Sequence, residues 1–152
     1  MKVLFVCLGN ICRSPTAEAV MRELIQTHSV DMQIDSAGTA AYHIGKSPDP
    51  RSQQAALKRG IVMDDLRARK VSQEDFKQFD YILAMDQANY QDLLAVKPND
   101  ASAKVELFLK EYGTLDKKDV PDPYYGGEQG FEMVLDLLED GCRGFLVRHG
   151  KL

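Results

Sequence analysis

The feature that most restricts this chain lies at its start. Residues 2–7, Lys-Val-Leu-Phe-Val-Cys, form an apolar, β-branched run of the kind found in strands buried on both faces. Ser14-Pro15 follow shortly and open a segment with Ala17, Val20, Met21, Leu24 and Ile25 at helical spacing. Proline suits the start of a helix, where its missing N–H leaves no bond unmade. A buried strand that feeds a helix through one short turn is the opening of a strand–helix–strand unit.

The alternation continues along the chain. Residues 32–37 read as a second strand closing in Ser36-Ala37-Gly38. Asp49-Pro50 reads as an N-cap followed by proline at the first position of a helix running to Gly60. Ser72-Gln73-Glu74-Asp75 has the look of a capped short helix, with Phe76 and Phe79 turned inward. Residues 80–85 make a third strand, Asp86 caps the helix after it, and residues 104–108 make a fourth strand. A last amphipathic helix carries Phe131, Val134, Leu135, Leu138, Cys142, Phe145 and Leu146 on one face. The pattern predicts an α/β fold in which a four-stranded parallel sheet has helices on both faces, as a single domain over residues 1–152. Ligands of such sheets bind outside the C-terminal ends of the strands, so the first strand-to-helix turn is where chemistry is expected.

That turn is Cys7-Leu8-Gly9-Asn10-Ile11-Cys12-Arg13-Ser14. An anion needs several backbone N–H groups aimed at one point, and a helix N-terminus supplies some of them together with a favourable dipole. Gly9 and Asn10 tolerate the left-handed backbone angles that curl a turn into an anion nest. Residues Leu8, Gly9, Asn10, Ile11, Cys12 and Arg13 therefore form the expected phosphate-binding loop, with the Arg13 guanidinium as a fork for two oxygens. Cys7 at its base would be stabilised as a thiolate and placed for in-line attack on phosphorus. Ser14 can donate a hydrogen bond to that sulfur and help it leave. Taken alone, a cysteine ending a buried strand is often only a small core residue. The strand before, the Gly and Asn within and the Ser-Pro after are what favour chemistry.

Residues 109–130 carry no periodic signal and hold Val120-Pro121-Asp122-Pro123-Tyr124-Tyr125. A loop of this length in a compact fold is usually functional or disordered, and its prolines and aromatics argue against disorder. Expelling a phenolate needs a proton donor, which an arginine cannot be. Asp122, stiffened between two prolines, is the expected donor, and the same carboxylate would activate water in the second step. Tyr124 and Tyr125 would wall a flat ring. A turn aspartate beside surface tyrosines is an equally good reading of these residues alone.

Composition closes off other classes. A net charge of −4 argues against general nucleic-acid binding. No apolar run is long enough for membrane insertion, and the opening run is too short for a signal segment. Three cysteines without framework spacing point to a reducing, cytoplasmic setting. Cys7 and Cys12 lack zinc spacing, so no metal site is expected. His28, His43 and His149 lack the signature of a cysteine–histidine protease and read as surface residues.

These residues resemble the low-molecular-weight protein tyrosine phosphatases nearly end to end. The strongest parts are Val6–Pro15 and Asp122-Pro123-Tyr124-Tyr125-Gly126. Asp35-Ser36-Ala37-Gly38, Tyr42-His43-Ile44-Gly45 and Phe79–Asp86 also fit. The resemblance implies Cys7 as nucleophile of a cysteinyl-phosphate intermediate, Arg13 as phosphate clamp and Asp122 as general acid and then base. It further implies that Asn10 and Ser36 hold the phosphate loop in shape, that Ser14 supports the thiolate, and that Leu8, Ile11, Tyr42, Tyr124 and Tyr125 form the substrate rim. It assigns Cys12 a redox role, as disulfide partner of the nucleophile. Cys142, on the apolar helix face, reads as core. No cofactor is implied; phosphotyrosine-containing proteins are the implied partners and small aryl phosphates the in vitro substrates. The alternative is an arsenate reductase of the same fold, which needs relay cysteines near the third strand. Residues 80–97 contain none.

Overall fold

Side-chain alternation in the first strand sets the layers of the fold, seen here in a computed structural model that describes residues 1–123 and 127–152. In β1 (Lys2–Cys7), Val3, Phe5 and Cys7 enter one core, whereas Leu4 and Val6 enter another on the opposite face. All five are buried, as the unbroken apolar run predicts for a central strand. β1 pairs in parallel with β2 (Gln33–Gly38) on one side and β3 (Tyr81–Ala84) on the other, and β3 pairs in parallel with β4 (Lys104–Leu107). The sheet order is β2-β1-β3-β4. The register matches Cys7 with Gly38, Val6 with Ala84 and Ala84 with Leu107. All four strands thus end at one rim, and every turn that follows a strand opens there.

Helices α1 (Arg13–Thr27), α2 (Pro50–Leu57), α5 (Phe108–Tyr112) and α6 (Gly127–Arg148) contribute to the core on the Phe5 face. α3 (Asp75–Gln78) and α4 (Gln87–Val96) cover the Leu4 face through Phe76 and Leu93. Two of the expected caps follow the sequence, whereas Ser72 does not cap α3, which has Glu74 ahead of it and no side-chain cap hydrogen bond. Asp49 accepts from the Arg51 N–H at 2.8 Å ahead of Pro50, and Asp86 accepts from the Asn89 N–H at 2.8 Å. The seven residues expected on the inner face of the last helix are all buried, and Leu137 joins them because the stripe is wider than a two-position seam.

Some details differ from expectation. α2 ends at Leu57, and residues 58–60 close it as a turn with Gly60 at φ +77°. The stretch 109–130 is not one long loop. It begins inside α5 and ends inside α6, which starts at Gly127. A five-residue helix is too short to print a period, and Gly127 and Gly130 hide the helical start. The segment around Lys70 was not legible as sheet. It bridges Gly38, with the Gly38 N–H donating to the Arg69 carbonyl and the Val71 N–H to the Gly38 carbonyl, both at 2.8 Å. Among the described residues no helix is long and apolar enough to cross a membrane.

Two close approaches carry measurable consequences. α5 and α6 meet at Gly144, where an added Cβ would lie 1.9 Å from the Tyr112 carbonyl oxygen. Gly144→Ala is therefore expected to destabilise the fold by about 2 kcal/mol or more, read from the urea midpoint, with the exposed Met133→Ala as control. On the other side, α1 packs on β2 with the carboxyl of Glu18 buried, accepting from the Ser36 hydroxyl at 2.7 Å. Burial, with Asp35 nearby, pushes Glu18 up to about 7, against the weaker pull of the Ser36 hydrogen bond and Arg22. A carboxyl raised in the folded state holds its proton there after the unfolded chain has lost it. Its contribution is full below the unfolded value of about 4.3 and is lost as pH rises toward 7. Glu18→Gln is expected to remove roughly 2–3 kcal/mol of pH dependence across that window, measured as denaturation midpoints at several pH values.

Candidate active site

The rim where the strands end carries a cavity of about 190 Å³ floored by Cys7, Cys12 and Arg13. Leu8, Gly9, Ile11, Tyr42, His43 and Asp122 complete its lining. The sequence-expected nucleophile, clamp and acid thus share one space, although Asp122 lies far along the chain. Leu8, Ile11 and Tyr42 stand where a rim was expected, with Leu8 and Tyr42 exposed. Tyr124 and Tyr125 lie outside the described residues. His43, expected on the surface, instead covers Gly9 so closely that an added Cβ there would meet its ring at 2.9 Å. The Tyr42–Gly45 resemblance was the signal that marked it.

The loop owes its shape to Asn10. Its φ of +57° places the residue in the left-handed region, which asparagine tolerates better than most. Its buried side chain then fastens the turn in three directions. Nδ2 donates to Ser14 Oγ at 2.8 Å and to Ser36 Oγ at 2.9 Å, and Oδ1 accepts from the Arg69 N–H at 3.0 Å. Ser36 passes the connection on to Glu18. Gly38 leaves room for the loop, since a Cβ there would lie 2.7 Å from the Leu8 carbonyl oxygen. The Asp49 N–H donates to the Ile11 carbonyl at 2.8 Å from the outer side.

Cys7 is 3% exposed, and its sulfur lies 3.0 Å from Ser14 Oγ. The Asn10 N–H also donates to it, at 3.3 Å. α1 begins directly behind, with no side-chain cap and no acidic residue in its first turn, so its leading N–H groups are open to an anion. Cys12 differs from Cys7 in its partners. Burial, followed by Asp49, pushes it up to about 12. At neutral pH it is therefore an uncharged thiol. Cys142 is fully buried among apolar side chains, and burial pushes its thiol upward as well. All three cysteines are free.

Arg13 is held by one nitrogen. Nη1 donates to Asp86 Oδ2 at 2.5 Å and to the Val120 carbonyl at 3.1 Å. Among the described residues Nε and Nη2 have no protein partner, so one whole edge of the guanidinium remains for a bidentate acceptor. Burial works against the charge, but Cys7, Asp86 and Asp122 outweigh it and hold the group firmly protonated. The Val120 contact also anchors the chain just ahead of Asp122. Sequence reasoning gave Asp86 only a capping role. It does cap α4, with Oδ1, while Oδ2 grips Arg13. Arg69 was missed too. Its side chain bridges Asp35 and Asp75 at 3.0–3.1 Å, which sets its own N–H against Asn10. No local motif marked it, because its partners lie on β2 and α3. Among the described residues no cluster of three or more metal-ligating side chains occurs.

Comparisons with known proteins agree with this geometry. The family profile described as low molecular weight phosphotyrosine protein phosphatase matches residues 2–151. The low molecular weight phosphotyrosine protein phosphatase of Schizosaccharomyces pombe is 48% identical over 96% of this chain and 95% of its own. That of Homo sapiens is 46% identical over 96% of this chain and 94% of its own. A crystal structure of a protein tyrosine phosphatase from Entamoeba histolytica, with Hepes in the active site, superposes with a TM-score of 0.92 at 47% identity, covering 100% of this chain and 99% of that one. Matched by that profile over nearly its whole length, and close to these relatives in sequence and fold, the chain belongs to the low molecular weight phosphotyrosine protein phosphatase family.

Proposed function

We propose that this protein hydrolyses phosphotyrosine through a cysteinyl-phosphate intermediate, with Cys7 as nucleophile, Arg13 as clamp and Asp122 as general acid and base. The observation that carries it is the single cavity lined by all three. The phosphoryl oxygens sit against the N–H groups of Leu8 to Arg13 and the open edge of the Arg13 guanidinium. These donors act where charge develops in the transition state. The Cys7 sulfur attacks phosphorus in line, and Asp122 gives its proton to the departing phenolic oxygen. The resulting carboxylate then takes a proton from water, which attacks the cysteinyl phosphate. Ser14, 3.0 Å from the sulfur, donates to it as it leaves. Leu8 and Tyr42 at the mouth favour an aromatic ester over the shorter serine ester. The substrates are then phosphotyrosine-containing proteins, with aryl phosphates such as p-nitrophenyl phosphate as small surrogates, and the working compartment is the cytoplasm. Arsenate reduction has no support, since the chain's remaining thiol, Cys142, is sealed in the core.

Wild-type protein is expected to turn over p-nitrophenyl phosphate under chelation. Cys7→Ser should abolish turnover, and Asp122→Asn should lower kcat by roughly 10²–10⁴ with inhibition by inorganic phosphate retained. Equal rates in Cys7→Ser and wild type would falsify the mechanism. On the same reading, peroxide converts Cys7 to a sulfenic acid, and the Cys12 thiol displaces water from it to form a disulfide. Cys12→Ser should therefore keep most of the activity yet recover far less of it with dithiothreitol after peroxide treatment, as followed by activity assay and intact mass.

A further inference from the structure

Beside the catalytic cavity lies a second, larger groove of about 570 Å³. Leu8 and Tyr42 belong to the linings of both, so the groove starts at the mouth of the site. One wall is the segment that bridges Gly38, with Lys70 and Val71; the other is the end of α4, with Ala95 and Val96. We infer that this groove holds the stretch of substrate polypeptide flanking the phosphotyrosine and reads an acidic side chain beside Lys70; the inference rests on the phosphatase reading above.

Continuity and charge select this occupant. A phosphotyrosine seated over Cys7 must lead its chain out past Leu8 and Tyr42, and the groove begins there. Val96, like those two side chains, is exposed, so apolar side chains stand both at the mouth and on the α4 wall. Charge is then placed on it at defined points. Arg69 is already committed to Asp35 and Asp75. Lys70 is exposed and makes no ion pair among the described residues, which leaves it the uncommitted cation of that wall. Asp92 on the α4 wall disfavours a second acid there, so the groove distinguishes acidic positions along the substrate.

The test compares p-nitrophenyl phosphate with two phosphotyrosyl peptides, one flanked by glutamates and one by lysines. Wild type should show the higher kcat/KM on the acidic peptide. Lys70→Glu should lower that value by about fivefold and raise that of the basic peptide. Val96→Ser should lower both peptide values. Neither variant should move p-nitrophenyl phosphate by more than about twofold, since neither side chain lines the cavity. Peptide rates that stay constant, or that change in step with p-nitrophenyl phosphate, overturn the proposal while leaving the phosphatase reading intact. A dimer in sedimentation that Val96→Ser weakens, with peptide rates unmoved, gives the groove to a second copy of this chain and also overturns it. Failure of wild type to hydrolyse p-nitrophenyl phosphate removes the phosphatase reading, and the groove assignment with it.

Discussion

The conformation of Asn10 is the constraint on which the site depends. A loop that points successive N–H groups inward must turn its backbone the wrong way at some residue, and Asn10 does so at φ +57°. The strain is tolerable because the side chain is fully employed. It ties the loop to α1 through Ser14, to β2 through Ser36 and to the segment beside β2 through the Arg69 N–H. Two of these anchors are themselves held from behind: Ser36 by Glu18, and Arg69 by Asp35 and Asp75. Satisfied buried networks of this kind enforce one geometry, and losing one member leaves the others without partners in a low-dielectric setting.

A second coupling joins the two halves of the chemistry. The guanidinium of Arg13 reaches from α1 to the start of α4 and to the backbone two residues before Asp122. Nucleophile and clamp share one short turn and the acid lies far along the chain, yet the parallel register ends all four strands at one rim. Asp86 shows how economical this is. One carboxylate oxygen starts a helix and the other steadies the cation that faces the phosphate.

What the sequence made legible follows from the range of each interaction. Strands, long helices and the caps at Asp49 and Asp86 are written locally, as buried runs, stripes and an aspartate ahead of a helical segment, and these agree with the structure to within a few residues. The Cys7–Ser14 loop was equally plain because its demands on backbone and charge fall within one short segment. Asp122 was visible through its prolines and needed the fold to bring it to Cys7. Glu18 and Arg69 were not singled out, and His43 was read as a surface residue. Glu18 looks like a surface residue of an amphipathic helix until β2 covers it. Arg69 means nothing until Asp35 and Asp75 are in place. α5 is too short for periodicity to betray it.

The two acceptors on Arg13 Nη1 have a consequence for the catalytic cycle. A long cationic side chain carries about 2 kcal/mol of rotamer entropy, which an unanchored arginine would give up each time phosphate arrived and regain each time it left. Here that freedom is surrendered once, during folding, because Asp86 and Val120 pin the side chain. Release of inorganic phosphate then leaves the cradle as it was. Successive turnovers meet the same preorganised receptor, and the reordering that remains is that of solvent and substrate.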